Sequence, residues 1–310
     1  MNEIKIFAPG TIANLSCGFD VLGLCLATVG DEIIIRQSRQ KGIRITKIVG
    51  ADLPLETEKN VAGVAALALL QEIETDFGFE IEIYKNIKAG SGIGSSAASS
   101  AGAVFGINEL LGKPFSKIEL VQFAMRGEKL ASGSAHADNV APALFGGFTL
   151  VRSYEPLDII KIRSPDELYA TVIHPQIELK TSDARSILKQ NILLKSAIIQ
   201  WGNVGGLIAG LYTEDYDLIG RSLHDEIIEP LRSILIPEFT LIKKLALESG
   251  ALGVGISGSG PSIFALSKGK ETAAKVAKVM CEVYNNINLP YEIHVSGISD
   301  EGIKILNPKS

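Results

Sequence analysis

The stretch Lys88-Ala-Gly-Ser-Gly-Ile-Gly-Ser-Ser-Ala-Ala98 constrains this chain more than any other. It follows an alternating apolar run at 79–85 that reads as a strand, and it opens into a small-residue run at 97–111 that reads as a helix. Glycines at 90, 92 and 94 let the backbone turn tightly and come close to a ligand. Their N–H groups, with those of the helix start, converge with the helix dipole on one spot, which suits an anion and best of all phosphate. Ser95 and Ser96 add hydroxyls that can reach a phosphate or a phosphate-bound Mg²⁺. Two familiar phosphate loops do not fit. A Walker loop needs Lys before its Ser/Thr, where Ile93 and Gly94 stand, and a dinucleotide fingerprint needs Gly at 95, where Ser stands. The competing reading is a Gly/Ser helix start whose small residues serve only close packing.

The 310 residues leave room for two domains, with the boundary expected near Tyr154-Glu-Pro156, hence 1–155 and 156–310. At 46% hydrophobic and 21% charged the chain has ample core material, and a net charge of −5 argues against a nucleic-acid partner. Cys17, Cys25 and Cys281 show no paired spacing, so neither a disulfide framework nor a zinc site is expected. The first residues lack the basic and apolar regions of a signal peptide, and no apolar run reaches membrane length. The expectation is a cytoplasmic protein with no membrane partner.

In chain order, the alternation predicts a strand at 3–8 ended by Pro9-Gly10, and a pair of strands at 31–37 and 42–48 around a polar turn. Helices are expected at 58–74, 116–131, 191–211, 217–228, 239–249 and 270–286, with strands at 148–152, 157–162, 168–174, 291–295 and 302–306. A strand, glycine turn and strand are expected over 251–266. Several polar residues stand out, each with two readings. Asn14 and Asp20 can present an amide and a carboxylate to a polar ligand, or form Asx turns that satisfy their own backbone. Asn60 is either an N-cap or an amide facing a nucleotide. Glu128 is a solvated acid or a ligand for Mg²⁺. His136, Asp138 and Asn139 cluster in a small-residue loop, too few for a metal site. Thr181 or Ser182 can cap a helix that carries Arg185 one turn in. Arg185 and Arg232 could grip a carboxylate or phosphate, although surface arginines are common.

Three glycine-rich segments, at 10–23, 88–98 and 253–266, stand in the order seen in the GHMP small-molecule kinases, which include galactose, homoserine, mevalonate and phosphomevalonate kinases. The chain resembles that family over essentially its whole length. Its middle segment is similar to the family's phosphate loop, with Lys88 where Pro is usual and Ile93 where Leu is usual. Ile256-Ser-Gly-Ser-Gly-Pro-Ser262 is similar to the third motif. Ala13-Asn-Leu-Ser-Cys-Gly-Phe-Asp-Val-Leu-Gly23, His136-Ala-Asp-Asn-Val-Ala-Pro-Ala-Leu-Phe-Gly-Gly147 and Thr181-Ser-Asp-Ala-Arg185 resemble the branch that acts on homoserine.

The resemblance implies an α+β fold in two domains, the first like the second domain of ribosomal protein S5 and the second ferredoxin-like. It also implies a left-handed βαβ crossover, against the usual rule. The implied activity is ATP- and Mg²⁺-dependent phosphorylation of the L-homoserine side-chain hydroxyl to O-phospho-L-homoserine, on the route to threonine, by a homodimer. Carried over position by position, Asn14, Asp20, His136, Asn139, Arg185 and Arg232 would surround the amino acid. Arg185 and Arg232 would take its carboxylate and Asp20 its ammonium. Ser96 and Glu128 would hold Mg²⁺, and Asn60 would lie near the adenine. The triphosphate would be wrapped by Lys88, Ala89, Gly90, Ser91, Gly92, Ile93, Gly94, Ser95, Ser96, Ala97 and Ala98. Asn139 and Arg185 would act in catalysis. Several relatives place an Asp base where this chain has Asn139, and an amide cannot take the hydroxyl proton. The alternatives are a mevalonate- or phosphomevalonate-type kinase and a non-catalytic binding protein of the same fold.

Overall fold

The computed structural model describes residues 2–179, 181–189 and 191–306. The chain begins with β1 (Glu3–Ala13), β2 (Leu22–Ser38) and β3 (Ile43–Val49). It continues through α1 (Val61–Leu70), β4 (Gly78–Tyr84), α2 (Ser95–Leu110), α3 (Lys117–Ser132), α4 (Val140–Phe145), β5 (Phe148–Tyr154) and β6 (Leu157–Ile162). Then come β7 (Leu168–Pro175), α5 (Thr181–Ser186), α6 (Leu194–Thr213), α7 (Tyr216–Ser222), α8 (Glu229–Arg232) and α9 (Phe239–Glu248). The last elements are β8 (Ala251–Ile256), β9 (Ile263–Lys268), α10 (Lys270–Asn286), β10 (Tyr291–Gly297) and β11 (Lys304–Ile305). The side chains of Thr181 and Ser182 lie outside the described residues.

Two sheets organise these elements. The larger runs β11-β1-β2-β4-β3, with β5 added to the early part of β2 and β6 to β5. Pro9-Gly10 does not end β1 as expected. A bulge between Pro9 and Thr11 absorbs the break, and the ladder with β2 resumes at Thr11 opposite Cys25. The expected pairing of 31–37 with 42–48 is also corrected. β4 lies between them, antiparallel to β2 and parallel to β3, because its alternating Phe79, Ile81 and Ile83 are all needed inside the core. The 217–228 helix stops at Ser222. Asp225 then accepts hydrogen bonds from the backbone N–H groups of Ile227, Ile228 and Glu229 and so starts α8.

The second sheet runs β10-β7-β9-β8 and is antiparallel throughout. Numbered within itself this is the order 4-1-3-2 of a ferredoxin-like unit. One face buries Val254, Ile263 and Ala265 under Ile242 of α9 and Val276 and Met280 of α10. The other face gives Ala170, Val172, Phe264 and Leu266 to the main core, which reaches without interruption to Ile33 and Ile35 of β2. The expected division after residue 155 falls in the turn between β5 and β6, which are themselves paired, and β11 returns to the first sheet. The two units are therefore divided by sheet rather than by one cut in the chain.

α2 is the element that positions the glycine loop. Ten of its sixteen residues are Ser, Ala or Gly because it is packed between the sheet and α1 and α3, and twelve of the sixteen are buried. A Cβ on Gly102 would come within 2.4 Å of Ile33 Cδ1, so the small residues are what allow the helix to sit this close to the strands.

Candidate active site

The three glycine segments interlock. Thr11 N–H donates to Ile93 O (3.2 Å), Gly258 N–H to Ala13 O (3.2 Å), and Ser257 Oγ–H to Gly92 O (2.7 Å). Gly90, Gly92 and Gly94 all adopt positive φ, at 76°, 81° and 67°. A Cβ on Gly92 would meet backbone oxygens of Ser257 and Gly260 at 2.6 and 2.7 Å. Gly94 is the left-handed N-cap of α2, so the first N–H groups of the helix follow directly from the loop.

Beneath the loop lies a buried ion pair that the sequence reading missed. Lys85 Nζ pairs with Asp31 and also donates to Ser95 O (2.9 Å) and Ser99 Oγ (3.0 Å). Asp31 Oδ1 accepts from the N–H groups of Asn86 and Ile87 at 2.8 and 2.9 Å. Ser95 Oγ–H closes the ring onto Ile87 O at 2.9 Å. The end of β4, the loop and the first turn of α2 are thus tied to one charge pair. Burial lowers the Lys85 pKa and Asp31 opposes that shift. A lysine closing a strand immediately before a glycine loop was the available signal.

Beside the start of α2, Ser96 Oγ–H donates to Glu128 Oε2 (3.0 Å) and Ser100 Oγ–H to Oε1 (3.3 Å). Burial pushes the Glu128 carboxyl up to about 7 despite these bonds and Lys85. A single carboxylate with an adjacent hydroxyl suits Mg²⁺, which takes few protein ligands and fills its shell with phosphate oxygens and water. Among the described residues no group of three or more His, Cys, Asp and Glu is arranged to hold a metal by itself.

A cleft of about 290 Å³ connects this end to the residues from 14–20, 136–139, Arg185, Arg232 and Gly258-Ser259. Asn14, Leu15, Ser16 and Asp20 all take positive φ, an unfavourable conformation for L-residues that the surroundings must hold. Asn14 does much of this holding. Its Nδ2 donates to Gly258 O (2.7 Å) and its Oδ1 accepts from Asp20 N–H (3.0 Å). Tyr154 Oη–H donates to Asp20 O at 3.1 Å. Arg185 forks onto Asp20, with Nη2 at 2.9 and 2.6 Å from its two carboxylate oxygens. His136 Nδ1 lies 3.7 Å from Asp20 Oδ1. Burial lowers the His136 pKa, Asp20 opposes this, and Arg185 and Arg232 add to it. Arg232 is buried, donating from Nε to Ala184 O (3.0 Å) and from Nη1 to Gly258 O (3.2 Å). Asn139 Oδ1 accepts from Thr11 Oγ1–H at 2.8 Å.

The structure therefore brings Asn14, Asp20, His136, Asn139, Arg185, Arg232, Ser96 and Glu128 to one cleft, with Ala89, Gly90, Gly92, Gly94 and Ser95 along its wall. Asn60 is not among the lining residues. Its amide is the N-cap of α1, accepting from Ala62 N–H and donating to Pro54 O, and Leu53 and Val61 line the cleft beside it. Ile93, Ala97 and Ala98 point into the core, Ser91 is buried, and the Lys88 ammonium engages Gln176. These six side chains of the predicted set lie off the cleft. Sequence reasoning missed Thr11, Phe19, Lys85 and Asp138 as lining or supporting groups. Nothing marked Phe19 except its place inside the 14–20 motif.

Comparison with known proteins identifies the family. The model of GHMP kinase N-terminal domains matches residues 60–147, and that of GHMP kinase C-terminal domains matches residues 207–286. A homoserine kinase of Chlorobium phaeobacteroides is 49% identical over 99% of this chain and 100% of its own length. One of Methanococcus vannielii is 43% identical over 92% of this chain and 94% of its own. The crystal structure of homoserine kinase from Cytophaga hutchinsonii superposes with a TM-score of 0.95 at 52% identity, covering 99% of this chain and 98% of the other. With relatives this similar along the whole length and both domain models matched, the chain belongs to the homoserine kinase family of the GHMP kinases.

Proposed function

We infer that the cleft transfers the γ-phosphoryl group of ATP to the side-chain hydroxyl of L-homoserine, giving O-phospho-L-homoserine and ADP, a step toward threonine. One observation carries the reading. A backbone-built phosphate site and a cluster of Asp20, Arg185 and Arg232 open into the same cleft, so a triphosphate and a zwitterionic amino acid can lie end to end. Phosphoryl transfer needs positioning and charge neutralisation more than covalent help. The loop N–H groups and the start of α2 hold the triphosphate. Ser96 and Glu128 would hold Mg²⁺, which would neutralise phosphate charge when bound. Arg185 and Arg232 take the substrate carboxylate, and Asp20 with neutral His136 receives its ammonium. Asn139, fixed by Thr11, orients the hydroxyl. The new bond forms between that oxygen and the γ-phosphorus as the β–γ bridging bond breaks, and a γ-phosphate oxygen takes the proton, because an amide cannot.

A coupled ADP-release assay with Mg·ATP tests this, comparing L-homoserine with mevalonate, phosphomevalonate, galactose and L-serine. Turnover with homoserine alone is expected. Turnover with another of these alcohols in its place removes the amino-acid assignments and leaves only the phosphate site.

The enzyme acts as a homodimer in this reading, with α6 in the interface. That helix carries one charged residue, Lys195, in twenty. It leaves Leu194, Ile198, Trp201 and Tyr212 more than half exposed, beside Gly202 and Gly205, whose Cβ positions are open. Two copies can meet there without charge conflict. Light scattering should give a dimer for the wild type and a monomer for Trp201→Glu. Among the described residues no helix is long and apolar enough to cross a membrane.

A further inference from the structure

We propose that Phe19 is a positioning residue that holds Arg185 and Arg232 as a two-pronged clamp for the substrate carboxylate, and that it thereby sets the preference for an amino acid over a plain amino alcohol. The inference rests on the homoserine reading above. Arg185 comes from α5 and Arg232 from α8, and these are short elements of four to six residues. Their guanidinium carbons lie 5.7 and 5.1 Å from the centroid of the same Phe19 ring. Two cations gathered this closely repel each other, and Arg185 is one of the charges that act against protonated Arg232. Something must offset that repulsion without consuming the donors a ligand needs.

Asp20 meets part of the requirement for Arg185. Arg232 donates to the neutral carbonyls of Ala184 and Gly258 and makes no hydrogen bond to a carboxylate among the described residues, so Asp20, Asp225 and Asp138 support its charge only at longer range. The face of an aromatic ring attracts both cations and accepts none of their in-plane N–H bonds. A second carboxylate at position 19 would instead occupy the fork itself. The ring is also well placed to be rigid. It precedes Asp20, whose positive φ is held by Asn14 and Tyr154, and the half-buried ring stands between the cleft and a smaller cavity, with Arg232 lining both. The left-handed turn at 14–16 thus has a use beyond shaping the loop, because it aims one ring at two guanidinium groups.

The test compares L-homoserine with 3-aminopropan-1-ol, the same molecule without its carboxylate, as alternative acceptors for the full-length enzyme with Mg·ATP. Phe19→Leu should raise the KM for homoserine about tenfold, leave the KM for ATP unchanged, and leave kcat/KM for 3-aminopropan-1-ol within twofold. Phe19→Tyr should restore most of the homoserine KM. Incorporation of 3,4,5-trifluorophenylalanine at position 19 keeps the shape but weakens the negative face of the ring, so it should raise the homoserine KM as Leu does. That variant also serves where Phe19→Leu does not fold. An equal loss on both acceptors, or a trifluoro variant indistinguishable from wild type, overturns the proposal while leaving the homoserine reading intact. A wild-type enzyme that ignores homoserine overturns both.

Discussion

The two ends of the cleft are built by different means. At the end proposed to take the triphosphate, here the phosphate end, the polar groups belong to the backbone. Three glycine segments lock onto each other through main-chain hydrogen bonds, and a buried Lys85–Asp31 pair ties the loop to the strand before it and the helix after it. At the end proposed to take the amino acid the polar groups are side chains on four separate segments, around 14–20, 136–139, 185 and 232, tied to one another through Asp20 and to the backbone carbonyls of Ala184 and Gly258. A backbone site tolerates little change in conformation but is indifferent to many side chains. A side-chain site tolerates conformational change better and depends wholly on residue identity. Damage to the first should therefore appear in stability and in the use of ATP, and damage to the second in the use of homoserine alone.

The most severe break falls on the backbone end. In Gly92→Ala the new Cβ would press on the backbone oxygens of Ser257 and Gly260 while φ stays positive, and neither neighbour is a flexible side chain. Loss of kcat/KM for ATP by about a hundredfold or more is expected, the scale that small misplacements of reacting groups reach. Gly90→Ala has the same backbone penalty but open space around its Cβ, so it should do much less. Equal losses in the two variants would remove the contact argument.

Lys85→Met comes next. It leaves Asp31 buried without its cation, which costs roughly 3–5 kcal/mol in comparable cases. Urea unfolding of the full chain should show it, together with a raised KM for ATP. Adding Asp31→Asn to Lys85→Met should recover part of the stability, because the orphaned charge is then gone. If the double variant is no better than the single, the pair is not acting as a charge pair.

At the other end, Arg232→Lys keeps the charge but loses the flat fork and two of its anchors, to Ala184 and Gly258. The KM for homoserine should rise about tenfold or more with the KM for ATP and the unfolding midpoint little changed. A rise in both KM values would mean that the two ends are not independent, and the contrast drawn here would have to be given up.

The same contrast explains what could be read in the sequence. The tight glycine loop opening α2 was legible because its residues are contiguous, and glycine spacing reports directly on backbone shape. The amphipathic helix α10 and the strand, turn and strand of β8 and β9 were legible for the same local reason. What escaped was set by distance. The bulge that carries β1 past Pro9 depends on β2, and the parallel pairing of β3 depends on β4, with Ile43 opposite Phe79 and Val49 opposite Tyr84. Asn60 shows the limit at a single residue. Its capping role was visible locally, but whether its amide also faced the cleft turned on Pro54. That Arg185 and Arg232 share a cleft with Asp20 was legible only through resemblance, since neither stands out from a surface arginine until Phe19 and Asp20 are seen beside them.

The smallest expected effect concerns Asp138, an acid at the amino-acid end that the proposed chemistry does not use. It lines the cleft and is 4% exposed. Burial, with Asp20 and Glu128 adding to it, pushes its carboxyl from 3.8 up to about 7, while backbone N–H groups of Asp138 and Asn139 pull the other way. An acid whose pKa is raised on folding favours the folded state when protonated. Its contribution is complete below pH 3.8 and is lost as the pH rises through about 7. Asp138→Asn removes that titration. The variant should therefore gain on the wild type as pH rises from 5 to 8 in ligand-free unfolding experiments, by on the order of 1 kcal/mol. Glu128 titrates in both proteins, and its coupling to Asp138 is part of the difference that the comparison reads. A stability gap that stays constant with pH would show that the Asp138 carboxyl is already compensated in the fold. The amino-acid end would then be as thoroughly satisfied internally as the phosphate end, and the difference between the two would lie in the source of their groups alone.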